Sequence, residues 1–281
     1  MNALELINIG SEKLKNTKIP SYKLDSEIIL SKVLKKKREE IITNLDQTVD
    51  HQKEKEFKKL IHRRSLNEPI AYIFKEKEFW SKNFKVNKNT LIPRPETELM
   101  IEQLLKILKK KSSLRIVDLG TGSGCILISL MLELKTSSGI GIDISNKALK
   151  IANLNAFNLK INNKLKFWNR DVSDIFNNKF DLAISNPPYI MRKDIKNLPA
   201  DIRFHEPKIA LDGGNDGLDV IKKVIYKAKN ILKFKGILAL EIGRGQYKKV
   251  SKILKANNFK TEHIVKDYKE NIRCLILKLI K

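Results

Sequence analysis

The chain reads as α/β: a seven-stranded, mostly parallel sheet with helices on both faces. A small N-terminal helical bundle precedes it, joined by a β-hairpin linker. Three observations predict this. From residue 114 onward, short apolar runs alternate with amphipathic stretches of helical period, as βα units around a parallel sheet do. The first of those runs ends in Gly120-Thr121-Gly122-Ser123-Gly124, a glycine turn of the kind that joins a strand to a helix. Residues 1–75 carry only helical periodicity, and 77–93 then change to period two.

The elements follow in order. Leu4, Ile7 and Leu14 predict a helix over residues 2–15. Leu24, Ile28, Leu30 and Leu34 predict a second over 21–36, with Ser21 as its N-cap. Glu54 to Arg64 places Phe57, Leu60 and Ile61 on one face, and Glu68-Pro69 restarts a short helix with proline in its first turn. This bundle, residues 1–75, holds no catalytic constellation, and its expected role is substrate recognition. Lys77 to Trp80 and Phe84 to Val86 alternate around Ser81-Lys82-Asn83 as a hairpin, so residues 76–95 form the linker. In Leu91-Ile92-Pro93-Arg94-Pro95-Glu96-Thr97-Glu98 two prolines break the strand before a helix from about Glu98 to Lys110. Arg94, Glu96 and Glu98 are either solvated first-turn charges or the lining of a cleft between the two domains.

The catalytic domain, residues 96–281, then alternates. Strands are expected at 114–119, 139–144, 165–168, 181–185, 237–242, 260–266 and 273–280, and helices at 125–134, 146–159, 216–233 and 246–257. No helix separates the last two strands, so they should pair antiparallel.

Composition excludes several function classes. No stretch approaches the ~18 apolar residues of a membrane span, and Met1-Asn2-Ala3-Leu4-Glu5 lacks the basic and apolar regions of a signal peptide. Cys125 and Cys274 are far apart, and the four histidines show no ligand spacing. A cytoplasmic protein without disulfides or a metal is therefore expected. The net charge of +24 invites a nucleic-acid partner. Its spread argues against one: 16 basic and 11 acidic residues in 1–75, and 40 and 21 in the rest. The excess is mostly Lys, whereas a nucleic-acid groove more often concentrates Arg. Specific nucleic-acid binding is not expected, and the chain is taken as a monomer.

Two stretches carry chemistry. Glycines at 120, 122 and 124 permit a tight turn and close backbone approach to a ligand. A pyrophosphate fingerprint would want glycine at 125, where Cys125 stands; GxGxG after an acidic residue fits S-adenosyl-L-methionine instead. Asp143, 23 residues after Gly120, ends the next strand, near the ~20 expected for a ribose-binding carboxylate. Asp171 and Val172 follow the third strand, where an adenine would lie, although a solvated loop Asp is an equal reading. The second stretch is Asn186-Pro187-Pro188-Tyr189. Its prolines end the strand at a ligand-binding edge, where the Asn186 oxygen and Pro187 carbonyl can accept both hydrogens of a planar NH₂ group lying against Tyr189. An ordinary strand-ending turn is the alternative for the tetrapeptide alone.

These motifs resemble the Rossmann-like class I S-adenosylmethionine-dependent methyltransferases. More closely, the chain is similar to the PrmC/HemK family of release-factor glutamine methyltransferases. The resemblance spans nearly the whole chain: Glu68 to Ile73, Glu78-Phe79-Trp80, Leu91 to Glu98, the glycine loop, Asn186 to Tyr189 and Glu206-Pro207 with Ala210 to Leu218. It implies methylation of the glutamine side-chain nitrogen in the Gly-Gly-Gln motif of peptide chain release factors, modulating translation termination. By position it implies that Gly120 to Gly124, Asp143 and Asn186 contact the cofactor. Asn186, Pro187, Pro188 and Tyr189 would contact the glutamine, with Asn186, Pro187 and Tyr189 catalytic. Members often carry an aromatic residue where this chain has Val172. Asn-Pro-Pro-Tyr also occurs in enzymes that methylate exocyclic amino groups of DNA or rRNA, the alternative substrates.

Overall fold

The computed structural model describes residues 1–108, 111–174 and 179–280. The chain divides into two compact units, Met1–Lys75 with Pro199–His205, and Glu76–Leu198 with Glu206–Lys281.

The first unit is helical: α1 (Ala3–Asn16), α2 (Tyr22–Leu34), α3 (Arg38–Ile42), α4 (His51–Ser65), α5 (Ile70–Phe74) and, later in the chain, α9 (Ala200–His205). α1 opens with a capping box, in which Asn2 Oδ1 accepts from the Glu5 N–H at 2.9 Å and Glu5 Oε2 from the Asn2 N–H at 3.0 Å. Leu6 and Leu14 of α1, Ile29 and Leu30 of α2, and Phe57 and Ile61 of α4 form its core.

The inward face of α2 differs from the expectation. Leu24 is exposed, and Asp25, Ser26 and Glu27 are buried in its place. Each has a partner that offsets the cost of leaving water. Arg64 Nε donates to Asp25 Oδ2 at 2.7 Å, the Ser26 hydroxyl to the Ile7 carbonyl at 2.9 Å, and Arg38 Nε to Glu27 Oε2 at 2.7 Å. Apolar spacing does not see such a face. Ser21 precedes α2 but makes no side-chain cap, because its φ of −89° and ψ of 21° are not the extended conformation that capping needs.

The second unit begins with a hairpin, β1 (Glu76–Phe79) and β2 (Lys82–Lys85). Its turn is Trp80-Ser81, not Ser81 to Asn83, with φ of 51° and 52°. Two positive φ values match the twist of paired strands and usually require Asn-Gly. Here Trp80 is held by Glu98 Oε1, which accepts its N–H at 2.9 Å, and by Glu133 Oε1, which accepts its indole N–H at 2.9 Å. α6 (Pro95–Leu108) starts three residues before the expected Glu98, and Lys110, its expected end, lies outside the described residues.

The remaining elements are β3 (Arg115–Leu119), α7 (Cys125–Glu133), β4 (Ser138–Asp143), α8 (Asn146–Asn158), β5 (Leu165–Asn169), β6 (Phe180–Ser185), α10 (Asp219–Ile231), β7 (Leu232–Glu241), α11 (Tyr247–Ala256), β8 (Phe259–Lys266) and β9 (Ile272–Leu279). Seven strands form one sheet in the order β5-β4-β3-β6-β7-β9-β8. β9 runs antiparallel to both β7 and β8, and the other pairs are parallel. Alternate residues enter two cores. Ile116, Leu182, Ile184 and Ala239 pack with Met100, Leu104 and Leu127 on one face, and Val117, Ala183, Leu238 and Leu240 with Ile221, Ile225 and Val250 on the other. β7 starts at Leu232, directly after α10, five residues earlier than the apolar run at Ile237 suggests.

Breaking the buried Asp25–Arg64 pair should expose its energetic role. Arg64→Leu leaves an unpaired carboxylate and should lower stability by about 3–5 kcal/mol, whereas Asp25→Leu with Arg64→Met should recover most of that loss. Urea unfolding monitored by circular dichroism measures both.

Candidate active site

The carboxyl ends of β3, β4, β6 and β7 supply one polar cluster. Gly120 and Gly122, with φ of 82° and 56°, occupy the left-handed region that side chains resist. A Cβ added to either would meet no atom within 4 Å, so their backbone faces open space. The loop is fixed from below. The Gly120 and Thr121 N–H groups donate to the Ile142 carbonyl at 2.8 and 2.9 Å, and the Thr121 hydroxyl donates to Asp118 Oδ2 at 2.8 Å. Asp143 ties loop to helix: Oδ2 accepts from the Gly122 N–H at 2.9 Å and Oδ1 from the Ser145 N–H at 2.8 Å. Asn169 Nδ2 in turn donates to the carbonyls of Asp143 and Ile144 at 3.0 and 2.8 Å.

Asn186 leaves β6 beside this loop, because the Ser185 hydroxyl donates to the Leu119 carbonyl at 2.6 Å. Asn186 Nδ2 makes a long hydrogen bond of 3.4 Å to Thr97 Oγ1, while Asn186 Oδ1 is buried with no partner among the described residues. The rest of the tetrapeptide is clamped. Gln246 Nε2 donates to the carbonyls of Tyr189 and Gly217 at 3.0 Å each, and the Gly213 N–H donates to the Ile190 carbonyl at 2.8 Å. The Tyr189 hydroxyl donates to Glu241 Oε1 at 3.3 Å, and Glu241 Oε2 accepts from the Thr97 hydroxyl at 2.7 Å.

Gly120, Thr121, Gly122, Ser123, Asp143, Asn186 and Pro188 line a single cavity of about 970 Å³ including its open mouth, together with Asn89, Thr90, Thr97 and Ala210. Gly124, Pro187 and Tyr189 support its walls without lining them; Gly124 packs against Ile128 and Ala152. Asp171 and Val172 are also not among the lining residues. The Asp171 carboxylate turns back onto the Ser173 N–H at 2.7 Å, and Val172 packs against the core on the α10 face. Of the linker charges, Arg94 lines the cavity and donates to buried Glu206 at 2.6 Å, Glu98 serves the hairpin turn, and Glu96 is exposed.

Burial sets the electrostatics. It pushes Asp118 up to about 7, against the Thr121 hydrogen bond that lowers it and with the nearby Asp143 charge raising it further. It also raises Asp143, opposed by the Ser145 and Gly122 N–H groups. It pushes Glu241 up to about 7 despite the hydrogen bonds from Thr97 and Tyr189. Three acids clustered at one edge favour a positively charged ligand. Burial raises Cys125 to about 12, so its thiol stays protonated.

A family profile described as the PrmC N-terminal domain matches residues 5–74, and one described as a methyltransferase domain matches 110–275. A relative named release factor glutamine methyltransferase, from Fusobacterium nucleatum, is 39% identical over 98% of this chain and 78% of its own length. Another of that name, from Buchnera aphidicola of Acyrthosiphon pisum, is 42% identical over 99% of each chain. The chain belongs to the release factor glutamine methyltransferase family. The chain also shares the fold of the ribosomal protein L11 methylase of Lactobacillus delbrueckii, at a TM-score of 0.51 and 18% identity over 68% of this chain and 82% of that one.

Family membership leaves some residues of the site to the structure. Thr97 and Glu206 enter the sequence reading only as members of the stretches that carry the resemblance, without a role of their own; Glu241 and Gln246 escape it, and of these only Glu241 leaves a signal, an acid ending the apolar run Ile237 to Leu240. The Asn155 side chain joins the loop to β2: its Nδ2 donates to the Ser123 and Lys85 carbonyls at 2.9 and 3.0 Å.

Gly122→Ala should combine backbone strain with a methyl in the open space. Stability should fall by about 1 kcal/mol, as for non-glycine residues at positive φ, and cofactor affinity by more than tenfold. Thermal unfolding and calorimetric titration separate the two effects.

Proposed function

We propose that this protein transfers a methyl group from S-adenosyl-L-methionine to the side-chain amide nitrogen (N5) of the glutamine in the Gly-Gly-Gln motif of peptide chain release factors. One observation carries the reading: Asn186, which lines the cavity formed by the glycine loop and Asp143, has a buried acceptor, Oδ1, without a partner among the described residues. A buried acceptor left unpaired costs about 1–3 kcal/mol, which an incoming N–H recovers. The names of the relatives select glutamine among planar amides.

The residues present fit the cofactor. The open space over Gly120 and Gly122 admits a ligand against the backbone, and the acids favour its net positive charge. Gly120 to Ser123 would hold its amino-acid portion and Asp143 its ribose; Asp171 and Val172 would serve the adenine only through their loop backbone. When bound, it supplies a methyl group activated by a sulfonium.

The chain's own task is to prepare a poor nucleophile. An amide lone pair is delocalised into the carbonyl, the resonance that keeps peptide groups planar. Asn186 Oδ1 and the Pro187 carbonyl accept the two amide N–H bonds and orient the nitrogen. They favour the positive charge that develops as the nitrogen gains a methyl. Tyr189, anchored on Glu241, and Pro188 shape the slot. The nitrogen then releases one proton; no strong base touches Asn186, so that proton leaves after transfer, to water. The helical unit serves recognition of the release factor, and the protein works where release factors do, in the cytoplasm.

Purified protein with labelled S-adenosylmethionine should methylate a release factor and spare the same factor with its Gly-Gly-Gln glutamine replaced. Label in rRNA or DNA but not in the factor would sink the proposal. Asn186→Ala should lower turnover by about 10²–10³-fold, the scale of losing one preorganised polar contact, with cofactor affinity changed at most modestly.

Cofactor binding should depend on pH. A cation prefers the ionised forms of Asp118 and Asp143, so binding pulls their raised pKa values down and releases protons. Affinity should therefore strengthen as pH rises through about 7. Calorimetry in buffers of different ionisation enthalpy tests this; a dissociation constant flat from about pH 6 to 8 would contradict it.

A further inference from the structure

We infer that Thr97 and Glu241 are positioning residues that fix which end of the Asn186 amide faces the methyl acceptor. The inference rests on the proposed reading of Asn186 and goes beyond it, to the cause of its orientation. An amide side chain is nearly symmetric in shape, so packing alone does not decide whether oxygen or NH₂ points into the cavity. The catalytic role needs the oxygen there.

Hydrogen-bond polarity decides it. A threonine hydroxyl has one hydrogen to donate. In this structure that hydrogen is committed to Glu241 Oε2, at 2.7 Å in the interior. Thr97 Oγ1 can therefore only accept from its other neighbour, 3.4 Å away, and only the NH₂ end of Asn186 can donate. The oxygen is left at the other end of the amide, buried and without a partner among the described residues, in a residue that lines the cavity. Glu241 is the fixed pole of this chain. Its other oxygen accepts from the Tyr189 hydroxyl at 3.3 Å, and burial keeps that phenol protonated and a donor. One carboxylate thus receives hydrogens from both sides, and through them it holds both the first and the last residue of Asn186 to Tyr189. The three segments are remote in sequence: Thr97 opens α6, Glu241 ends β7, and the tetrapeptide follows β6.

Two isosteric changes remove the polarity while keeping the volume. Thr97→Val deletes the hydroxyl. Glu241→Gln can turn an NH₂ toward Thr97, which then accepts from it and offers its own hydrogen to Asn186, inviting the amide to reverse. Each should lower kcat on the release factor by about tenfold to a hundredfold, the range of one buried hydrogen bond of catalytic consequence. Thr97→Val should leave cofactor affinity within about twofold, because it removes no charge and no group of the glycine loop or Asp143. Thr97→Ser, which keeps the hydroxyl, should recover most of the loss. The double variant should lose no more than the worse single one, since both act through one chain. Glu241→Gln should also leave the melting temperature equal or higher, as a buried charge is gone; a merely structural role would lower it along with activity. Independently of any substrate, the Asn186 side-chain NH₂ resonances, identified by their loss in Asn186→Asp, should shift in both variants. Unshifted resonances, or wild-type turnover in both variants, would overturn the inference. A wild-type protein that labels no release factor would instead overturn the reading beneath it, and the resonances would still decide the orientation.

Discussion

The pairing of β3 with β6 is the constraint from which the site follows. The chain steps outward from β3 through β4 to β5, then returns to the opposite side of β3 as β6. At such a switch point, the loops leaving neighbouring strands diverge and open a crevice at the carboxyl edge. Here Asp118 stands in register with Ile184, and the Ser185 hydroxyl crosses to the Leu119 carbonyl at 2.6 Å. That contact sets the glycine loop and Asn186 side by side although 66 residues separate Gly120 from Asn186. β4, on the other flank of β3, delivers Asp143 to the same edge. Cavity, glycine loop and tetrapeptide are consequences of strand order more than of any local sequence.

The same edge concentrates unfavourable charge. Asp118 and Glu241 are buried acids whose pKa values rise to about 7. Raised acids bind more protons folded than unfolded between their ordinary pKa and about 7. Their contribution to stability therefore falls as pH climbs through that window and is least favourable above it. Several surface acids of this chain pair with lysines, such as Asp181 with Lys233 at 2.7 Å. The site acids do not, although the chain carries a large excess of lysine. Keeping them costs folding energy that a cationic ligand repays on binding, which is how stability and function trade against each other at many active sites.

The fold was legible because its signals are local. Runs such as Ile116 to Leu119 and Leu182 to Ser185, separated by helical stretches, state their own period, and the glycine loop announces its turn. The tetrapeptide was legible because two prolines cannot extend a strand. What escaped has no local trace. Trp80-Ser81 adopts a turn that its composition argues against, since Glu98 and Glu133 capture the tryptophan from elsewhere. Leu24 looks buried by spacing, yet Asp25 takes its place because Arg64 arrives to pair it. Arg94 read equally as a solvated charge until Glu206, 112 residues on, supplied its partner. Asp171 follows β5 as expected, and its carboxylate accepts from the Ser173 N–H two residues away, a contact that position alone does not reveal.

The residues to which the sequence assigned no role share one. Gln246, Thr97, Glu241 and Glu206 touch the tetrapeptide or the linker from the interior, each through a hydrogen bond of directed polarity. Loops are ordinarily the mobile part of a fold, and a catalytic group must be held within a fraction of an ångström to act. Asn186-Pro187-Pro188-Tyr189 meets both demands because its anchors are core side chains, not neighbours in the loop. Two prolines stiffen its backbone, Gln246 fixes the Tyr189 carbonyl, and Glu241 reaches its two ends. The geometry that leaves Asn186 Oδ1 unpaired is the one the proposed reaction would use to receive an amide.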